Sequence, residues 1–187
     1  MVSNVPKLSQ IHMKNCRLFE DRRQMLSLVS RNGVGAELGV FRGDFSEVLL
    51  EALSPKRLVL IDRAFNLNPK ERFGAAIQAG QVEVITGDSS SELSKYPDEL
   101  FDWIYIDGDH SYEGVTKDAA VAKSKVRSSG CLMFNDYKMG DHNHPEGFYP
   151  YGVIHAVNEL CIQDGWEMVG FAFHFQMYCD VALRRRV

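Results

Sequence analysis

Residues 34–46 place a strand, a glycine turn and a helix start in close succession, and this order constrains the fold more than any other feature of the chain. The segment opens with the composition of a short buried strand. Gly39 and Gly43 then allow a tight loop without side chains. Asp44 and Glu47 follow at the spacing of a helix cap and capping box, before apolar residues with helical periodicity. The pattern predicts bare backbone at the carboxyl end of a strand, where open α/β sheets bind ligands.

Strand-like and helix-like stretches alternate along the rest of the chain. The predicted strands are 34–39, 57–62, 82–86, 102–107 and 131–135, and the predicted helices are 44–53, 69–79, 90–95, 112–127 and 151–163. This alternation predicts a Rossmann-like, doubly wound α/β fold with a mainly parallel sheet. Residues 166–175 and 176–183 are both strand-like with no helix between them, which predicts a C-terminal antiparallel hairpin.

The chain is predicted to form one domain over residues 34–187, preceded by a helical leader over residues 1–33. Apolar residues stand among charged ones in this leader, and Asn32-Gly33 ends it. We expect the leader to pack over the ligand cleft or against a second subunit, so that a homo-oligomer through the N-terminal helix is left open.

Three carboxylates fall at the predicted ends of neighbouring strands: Glu37, Asp62 and Asp107. A dinucleotide fold would carry G-x-G-x-x-G, so that a pyrophosphate sits on the helix N-terminus. Here the pattern is Glu37-x-Gly39-x-x-x-Gly43-x-x-Ser46. Converging acids repel a pyrophosphate but suit a ligand with an ammonium and a sulfonium. These residues therefore predict a site for S-adenosylmethionine (SAM), in which Asp62 reaches the ribose diol. An NAD-type oxidoreductase is the disfavoured alternative.

Three motifs occur in order along the chain. They are Glu-Leu-Gly-Val-Phe-x-Gly-x-Phe-Ser from Glu37, Ile-Asp-Gly-Asp-His-Ser-Tyr-Glu-Gly-Val from Ile106, and Gly-Cys-Leu-Met-Phe-Asn-Asp-Tyr from Gly130. Together they resemble the class I SAM-dependent methyltransferases, specifically the small bacterial group that includes macrocin-type sugar O-methyltransferases. The resemblance implies a seven-stranded sheet with the last strand inserted beside a parallel edge. It also implies that Asp88 and Ser89 lie near the adenine, although either residue could instead cap the helix that follows.

Methyl transfer to a hydroxyl requires removal of the hydroxyl proton, and a divalent ion bound to the oxygen would assist this. Asp107, Asn135 and Asp136 lie at the tips of adjacent predicted strands and offer only oxygen ligands, which favours Mg²⁺ over zinc. In the family resembled, metal-dependent members carry an acid at the position of Asp107 and an acidic or amide pair at the other two. The sugar methyltransferases typically have Asp where this chain has Asn135, so the site here has one charge fewer.

Two residues after the Asp107 strand tip are candidates for a general base. Imidazole titrates near neutral pH, so His110 could take the proton with or without a metal. The resemblance implies Asp109 in the same role, whereas Ser111 is predicted to cap the helix that follows. The long segment 137–151, which contains His142 and His144, is predicted to shape the acceptor pocket or form a lid.

Composition narrows the class of protein further. The net charge of −4 and the absence of a basic stripe, apart from the arginines at 184–186, argue against a nucleic-acid partner. These three arginines are predicted to be a solvated chain end. No apolar run is long enough for a membrane span, residues 1–10 lack the apolar core of a signal peptide, and the four cysteines show no C-x-x-C pair.

The sequence as a whole predicts a cytoplasmic SAM-dependent methyltransferase that acts on a hydroxyl of a small-molecule acceptor, with Mg²⁺ as an assisting ion. A metal-independent enzyme with His110 as base and a non-catalytic SAM-binding module are the alternatives.

Overall fold

The computed structural model describes residues 5–186. Its strands are β1 (Arg17–Phe19), β2 (Val34–Leu38), β3 (Arg57–Asp62), β4 (Val82–Thr86), β5 (Phe101–Ile106), β6 (Val126–Phe134), β7 (Gly140–Asp141), β8 (Tyr149–Pro150), β9 (Trp166–Ala172) and β10 (Asp180–Arg185). Its α-helices are α1 (Arg22–Met25), α2 (Asp44–Leu53), α3 (Pro69–Gln78), α4 (Ser89–Ser94), α5 (Tyr112–Lys125) and α6 (Val153–Gln163). Two 3₁₀ turns span Gln10–His12 and Leu26–Leu28.

The main sheet has the strand order β1-β9-β10-β6-β5-β2-β3-β4, and β7 and β8 form a separate small ribbon. Strands β2 to β6 pair in parallel, whereas β10 is antiparallel to both of its neighbours, β6 and β9. The predicted doubly wound α/β fold and its C-terminal antiparallel hairpin are therefore confirmed. The predicted count of seven strands is one too few, because β1 joins the sheet beside β9.

The predicted helical leader is wrong for most of the residues that the structure describes. Residues 5–33 contain β1, the single turn of α1 and the two 3₁₀ turns. Residues 17–19 form a strand instead of a helix because β9 would otherwise expose an unpaired edge. In this position β1 supplies parallel partners for Gly170, Phe171 and Ala172. Met25 and Leu26 are buried under the sheet. The part of this prediction that concerns residues 1–4 lies outside the described residues.

Alternate residues of the central strands face opposite layers of helices. On one face, Val59 and Ile61 join a core with residues of α4, α5 and α6. On the other face, Leu58 and Leu60 join a core with residues of α2, α3 and the segment around α1. This arrangement follows from the period-2 side-chain pattern of strands that are buried on both sides.

The parallel strands β2 to β6 all end at one edge of the sheet, so their following loops meet there. Strand β10 runs in the opposite direction and begins at the same edge with the buried Asp180. No helix within residues 5–186 is long and apolar enough to cross a bilayer.

Two of the three C-terminal arginines are held by contacts, in contrast to the prediction, whereas Arg186 is exposed as predicted. Arg184 donates to the carbonyl of Leu28, and Arg185 donates to the carbonyl of Lys123 at 2.6 Å. The guanidinium of Arg185 also lies over the ring of Trp166, 4.9 Å from its centroid. These side chains bind the last strand to the segments packed on either side of it.

Candidate functional site

A cavity of about 580 Å³ opens at the carboxyl edge of the sheet. Most of the predicted site residues line it, namely Glu37, Gly39, Asp62, Asp88, Ser89, Asp107, Asp109 and His110. Its volume is in the usual range for small-molecule sites. Four predicted site residues are not among its lining residues: Gly43, Ser46, Asn135 and Asp136.

The first turn of the site requires glycine. Gly39 has φ of +85°, and a Cβ built there would lie 2.1 Å from the carbonyl oxygen of Asp107. Any side chain would therefore force β2 and β5 apart at their tips. Gly43 also has a left-handed φ, +78°, but it faces the ring of Phe73 and not the cavity. Gly43 therefore allows the loop its left-handed turn. No contact between Gly43 and the cavity supports its predicted role in cofactor binding.

The start of α2 differs from the predicted capping box. Gly43 is the N-cap residue and makes no side-chain cap. Asp44 and Glu47 both pair with Arg72 of α3, each at 2.7 Å. The two acids still lie in the first turn, where the positive end of the helix dipole stabilises their negative charge. The guanidinium competes successfully for their oxygens because a charge-assisted pair is stronger than a neutral cap.

Glu37 is buried at the head of the glycine turn. Its side chain is 1% exposed and accepts a hydrogen bond from the hydroxyl of Ser46. Burial raises the pKa of Glu37 to about 8, and Asp107 adds to the rise against the opposing hydrogen bond from Ser46. Glu37 therefore carries a proton at neutral pH unless a cation comes beside it. Ser46 acts from behind Glu37 and does not reach the cavity.

Asp62 holds the glycine loop in place. Its Oδ2 accepts from the backbone amides of Val40 at 2.6 Å and Phe41 at 2.8 Å, while Oδ1 accepts from the amide of Ala64 at 3.0 Å. Phe41 has φ of +54°, so the loop is held in a conformation that a free chain would seldom adopt. The Asp62 carboxylate thus both lines the cavity and orders the backbone beside it.

Asp88 is the N-cap of α4, which was one of the two roles predicted for it. Its Oδ1 accepts from the amide and hydroxyl of Ser91, from the hydroxyl of Ser90, and from Lys117 at 2.9 Å. Arg63 approaches the other oxygen at 3.4 Å. The pair with Lys117, followed by these hydrogen bonds, holds the pKa of Asp88 well below its usual range. The carboxylate has few lone pairs left for a ligand.

The three predicted metal ligands meet at the tips of β5 and β6, but their oxygens do not converge on one point. The amide of Asn135 donates its Nδ2 to Oδ1 of Asp107 at 2.7 Å. Its oxygen lies 3.5 Å from Nη1 of Arg22. Asp136, which has φ of +56°, is buried and faces His110. The set presents two carboxylates and an amide nitrogen to the space between them, which does not match the all-oxygen shell of Mg²⁺.

His110 lies between two carboxylates. Its Nε2 is 3.4 Å from Oδ1 of Asp107 and 3.7 Å from Oδ2 of Asp136. The same atom is buried and has no hydrogen-bond partner among residues 5–186. The ring stacks on Tyr151 at 4.6 Å. Burial would lower the pKa of His110, but Asp107 and then Asp136 outweigh it, so the pKa is raised above its ordinary value.

Asp109 and Ser111 form the turn that leads into α5. Oδ1 of the exposed Asp109 accepts from the amide of Ser111 at 2.9 Å, and this hydrogen bond is the main reason why the pKa of Asp109 is lowered. Ser111 accepts from the amide of Gly114 at 3.0 Å, so its predicted N-cap role is confirmed. A carboxylate that is easily ionised is a weak base, which makes Asp109 less suited than His110 to take a proton.

Sequence reasoning missed a buried polar cluster beside this edge. Arg22 of α1 lines the cavity, stacks over the ring of Phe45 at 4.1 Å and lies 3.2 Å from the hydroxyl of Tyr105. That hydroxyl donates to Asp180 at 2.5 Å. Burial raises the pKa of Asp180 to about 7. Nothing in the irregular segment around Arg22 signals its position, because the contact depends on the leader folding back across the sheet.

Asp118 also lines the cavity, and the sequence did carry a signal for it. Its side chain is 6% exposed. Asp118 follows Val115 by three residues and precedes Ala122 by four, so it falls on the apolar face of α5. A charged residue on the buried stripe of a helix usually has a partner or a function. Asp118 was not predicted because the candidate site residues were sought only at the ends of strands and in the turns that follow them.

Residues 137–151 contain the β7–β8 ribbon. The His142 ring lies 4.8 Å from that of Phe148, and the His144 ring lies 5.0 Å from that of Tyr149. Among residues 5–186, no three His, Cys, Asp or Glu side chains form a cluster that could hold a metal ion. The lid role of this segment stays a prediction.

Comparison with known proteins identifies the domain type. A family model described as a methyltransferase domain matches residues 36–137, more than half of the chain. A comparison with curated protein sequences found no match.

Several solved structures have a similar fold. The O-methyltransferase TomG from Streptomyces achromogenes, which is involved in tomaymycin synthesis and was solved with SAM, is 20% identical with a TM-score of 0.65, over 88% of this chain and 78% of that one. The 1,6-didemethyltoxoflavin N1-methyltransferase from Burkholderia thailandensis, solved with S-adenosylhomocysteine (SAH), is 14% identical with a TM-score of 0.59, over 84% and 72%.

The pyocyanin biosynthetic protein PhzM is 15% identical with a TM-score of 0.63 over 87% of this chain. The chain spans about half of the length of PhzM, 53%. At these identities the solved structures support the fold alone.

Proposed function

The chain belongs to the methyltransferase-domain family, and from this premise we propose that it binds SAM in the cavity at the carboxyl edge of the sheet and methylates a hydroxyl of a small-molecule acceptor. When bound, SAM supplies a methyl carbon that its sulfonium has made electrophilic. The observation that carries the acceptor half of the proposal is the buried Nε2 of His110, which faces two carboxylates and has no hydrogen-bond partner within residues 5–186.

The residues of the glycine turn fit the cofactor. Glu37 is buried, and a cation beside it would convert the carboxyl to a carboxylate and so gain a charge-assisted bond. Gly39 leaves the backbone bare at the cavity wall. Asp62 accepts from three loop amides, which leaves one acceptor site on Oδ1 for a ribose hydroxyl. Ser46 would orient Glu37 and not contact the ligand.

His110 is the residue best suited to remove the acceptor proton. Asp107 and Asp136 stabilise the imidazolium that would form, since both carboxylates lie within 4 Å of Nε2. Tyr151 fixes the plane of the ring by stacking on it. Because Nε2 is buried between the two carboxylates, the His110 ring must shift toward the cavity before an acceptor hydroxyl can bond to it, and that hydroxyl would then supply the partner that Nε2 lacks. Asp109 is kept as the weaker candidate, because its carboxylate is already bound to the α5 turn.

The predicted Mg²⁺ site is not matched by the side chains at the tips of β5 and β6. The side chains of Asp107, Asn135 and Asp136 do not offer three converging oxygens, and the fixed cation of Arg22 lies 3.5 Å from the amide oxygen of Asn135. A dication would have to displace or repel this guanidinium. The donor set is thus better matched to proton removal by His110 than to a bound metal ion.

A non-catalytic SAM-binding module remains the alternative from another class, and N-methylation remains the alternative within this one. A titration of the full chain with radiolabelled SAM, followed by turnover with a panel of phenols, catechols, sugars and aromatic amines, separates them. We expect labelled product from hydroxyl acceptors, and at least a hundredfold loss of turnover in His110→Gln with SAM affinity retained. His155→Gln, the same substitution in α6, serves as the control. Product from amines alone, or equal turnover in both variants, would contradict the proposal.

A further inference from the structure

The side chain of Asp118 is unusual among the carboxylates of the cavity. It is 94% buried, since only 6% is exposed, and it lines the cavity. No group within residues 5–186 donates a hydrogen bond to it or forms an ion pair with it. Its carboxyl oxygens are not among the buried side-chain atoms that lack a partner, so they are accessible from the open space of the cavity. This side chain therefore has an open acceptor directed at the space that a ligand would fill.

The neighbouring charges are committed elsewhere. Lys117, the residue before it, pairs with Asp88 at 2.9 Å, and Arg63 approaches Asp88 at 3.4 Å. Asp88 also accepts hydrogen bonds from Ser91 and caps α4. Asp88 therefore already has its hydrogen-bond and ion-pair partners within the protein. Asp118 is the one that can take a donor from a ligand.

The surroundings of Asp118 favour a flat, uncharged donor. A Cβ built on Gly108 would lie 3.5 Å from Oδ2 of Asp118 and 3.8 Å from the hydroxyl of Ser89. Gly108 and Ser89 both line the cavity, so a bare backbone segment and a small side chain stand beside the carboxyl. A planar ring can approach such a surface closely. A cationic donor would meet Lys117 and Arg63 in the same region.

We propose that Asp118 recognises the base of the cofactor: its carboxylate accepts a hydrogen bond from the exocyclic 6-amino group of adenine. The family resemblance implied that Asp88 lies near the adenine, but Asp88 has its partners within the protein. The inference rests on the proposed binding of SAM. A carboxylate accepts and does not donate, so it selects a base with an amino group at this position. A base with a carbonyl oxygen there would face the carboxylate with two acceptors and no proton between them, which is a strong cause of rejection.

Calorimetry on the full chain with SAH and S-inosylhomocysteine tests this directly, because the two ligands differ by the amino group and the carbonyl oxygen. Wild type should bind SAH at least ten- to a hundredfold more tightly. Asp118→Asn, whose amide can donate as well as accept, should lose most of this preference, and Asp118→Ala should bind SAH more weakly without loss for the inosine analogue. Glu113→Gln, an exposed acid of the same helix, should keep the wild-type ratio.

The outcomes separate the two levels of the account. Wild type that binds SAH and the inosine analogue equally, or Asp118 variants that keep the wild-type ratio, would overturn the assignment of Asp118 while leaving SAM binding intact. Wild type that binds neither ligand would overturn the proposed function and this inference with it. Thermal unfolding followed by circular dichroism confirms that each variant is folded before its ratio is interpreted.

Discussion

Nε2 of His110 lies 3.4 Å from Oδ1 of Asp107, at the point where β5 leads into the turn before α5. The two residues form a pair in which a carboxylate stabilises the charged form of an imidazole that faces a cavity. A base of this kind is stronger than a free histidine, but it works only after it has lost its own proton.

The pH dependence of turnover follows from this pair. Burial lowers the pKa of His110, yet Asp107 and Asp136 raise it above its ordinary value, so the neutral form becomes the major one only at a higher pH than in a free histidine. Turnover at saturating SAM should therefore rise with pH and level off above the raised pKa. In His110→Gln, the residual turnover should lack this rise. A rate that falls as pH increases through this range would be inconsistent with a histidine base.

The positive charge of Arg22 is expected to keep a divalent ion from binding beside Asn135. Its guanidinium lies 3.5 Å from the amide oxygen of Asn135, beside the predicted metal ligands. Addition of a chelator should leave wild-type turnover unchanged. Electron paramagnetic resonance should show stronger Mn²⁺ binding in Arg22→Ala than in wild type, because the fixed cation is gone, and Arg23→Ala should behave as wild type. Loss of turnover with chelator and its recovery with Mg²⁺ would restore the metal-assisted mechanism.

Glu37 should release a proton when SAM binds. Burial first, with a contribution from Asp107, raises its pKa to about 8, so the carboxyl is largely protonated at pH 7. The ammonium of SAM would favour the carboxylate. Calorimetry in buffers of different ionisation enthalpy should thus report close to one proton released per SAM at pH 7 and much less near pH 9. Release that is unchanged in Glu37→Gln would assign the proton to another group.

The buried Asp118 should cost stability in the ligand-free protein. Burial raises its pKa from 3.8 to about 6 against the opposing charges of Lys117 and Arg63, while Asp88 adds to the rise. The folded state holds the proton more tightly, so the stabilisation from protonation is complete below pH 3.8 and is lost as pH rises through 6. Asp118→Asn should therefore be more stable than wild type at pH 7 by up to about 3 kcal/mol.

Denaturant titrations measured at several pH values check this prediction. The advantage of Asp118→Asn should shrink toward zero below pH 3.8, where the wild-type carboxyl becomes protonated in both states. Glu113→Gln should show no such trend. An amide variant that is less stable than wild type at pH 7 would mean that the Asp118 carboxylate has a partner in the folded protein.

The sequence predicted the elements that carry strong local signals. The glycine turn at Gly39, the carboxylates Asp62 and Asp107 at strand ends, and the N-cap at Ser111 all follow from spacing that survives any tertiary context. Where local propensity competes with long-range pairing, prediction was wrong. The leader was predicted to be helical, but the open edge of β9 recruits Arg17–Phe19 as a strand.

The chemistry of the site depends on contacts that no local pattern encodes. Arg22 reaches Tyr105 and Asn135 across more than eighty positions of sequence. The engagement of Asp88 by Lys117 likewise depends on how α5 packs beside α4. Spacing can bring carboxylates to one edge of a sheet, but which of them keeps free lone pairs is decided by cations from distant segments.

The most direct test of the account is a calorimetric titration of the wild-type chain with SAM, with NAD⁺ titrated under the same conditions. We expect saturable binding of one SAM per chain and no measurable binding of NAD⁺, because the carboxylates that line the cavity attract the cationic groups of SAM and repel a pyrophosphate. Saturable binding of NAD⁺ together with no binding of SAM would contradict it.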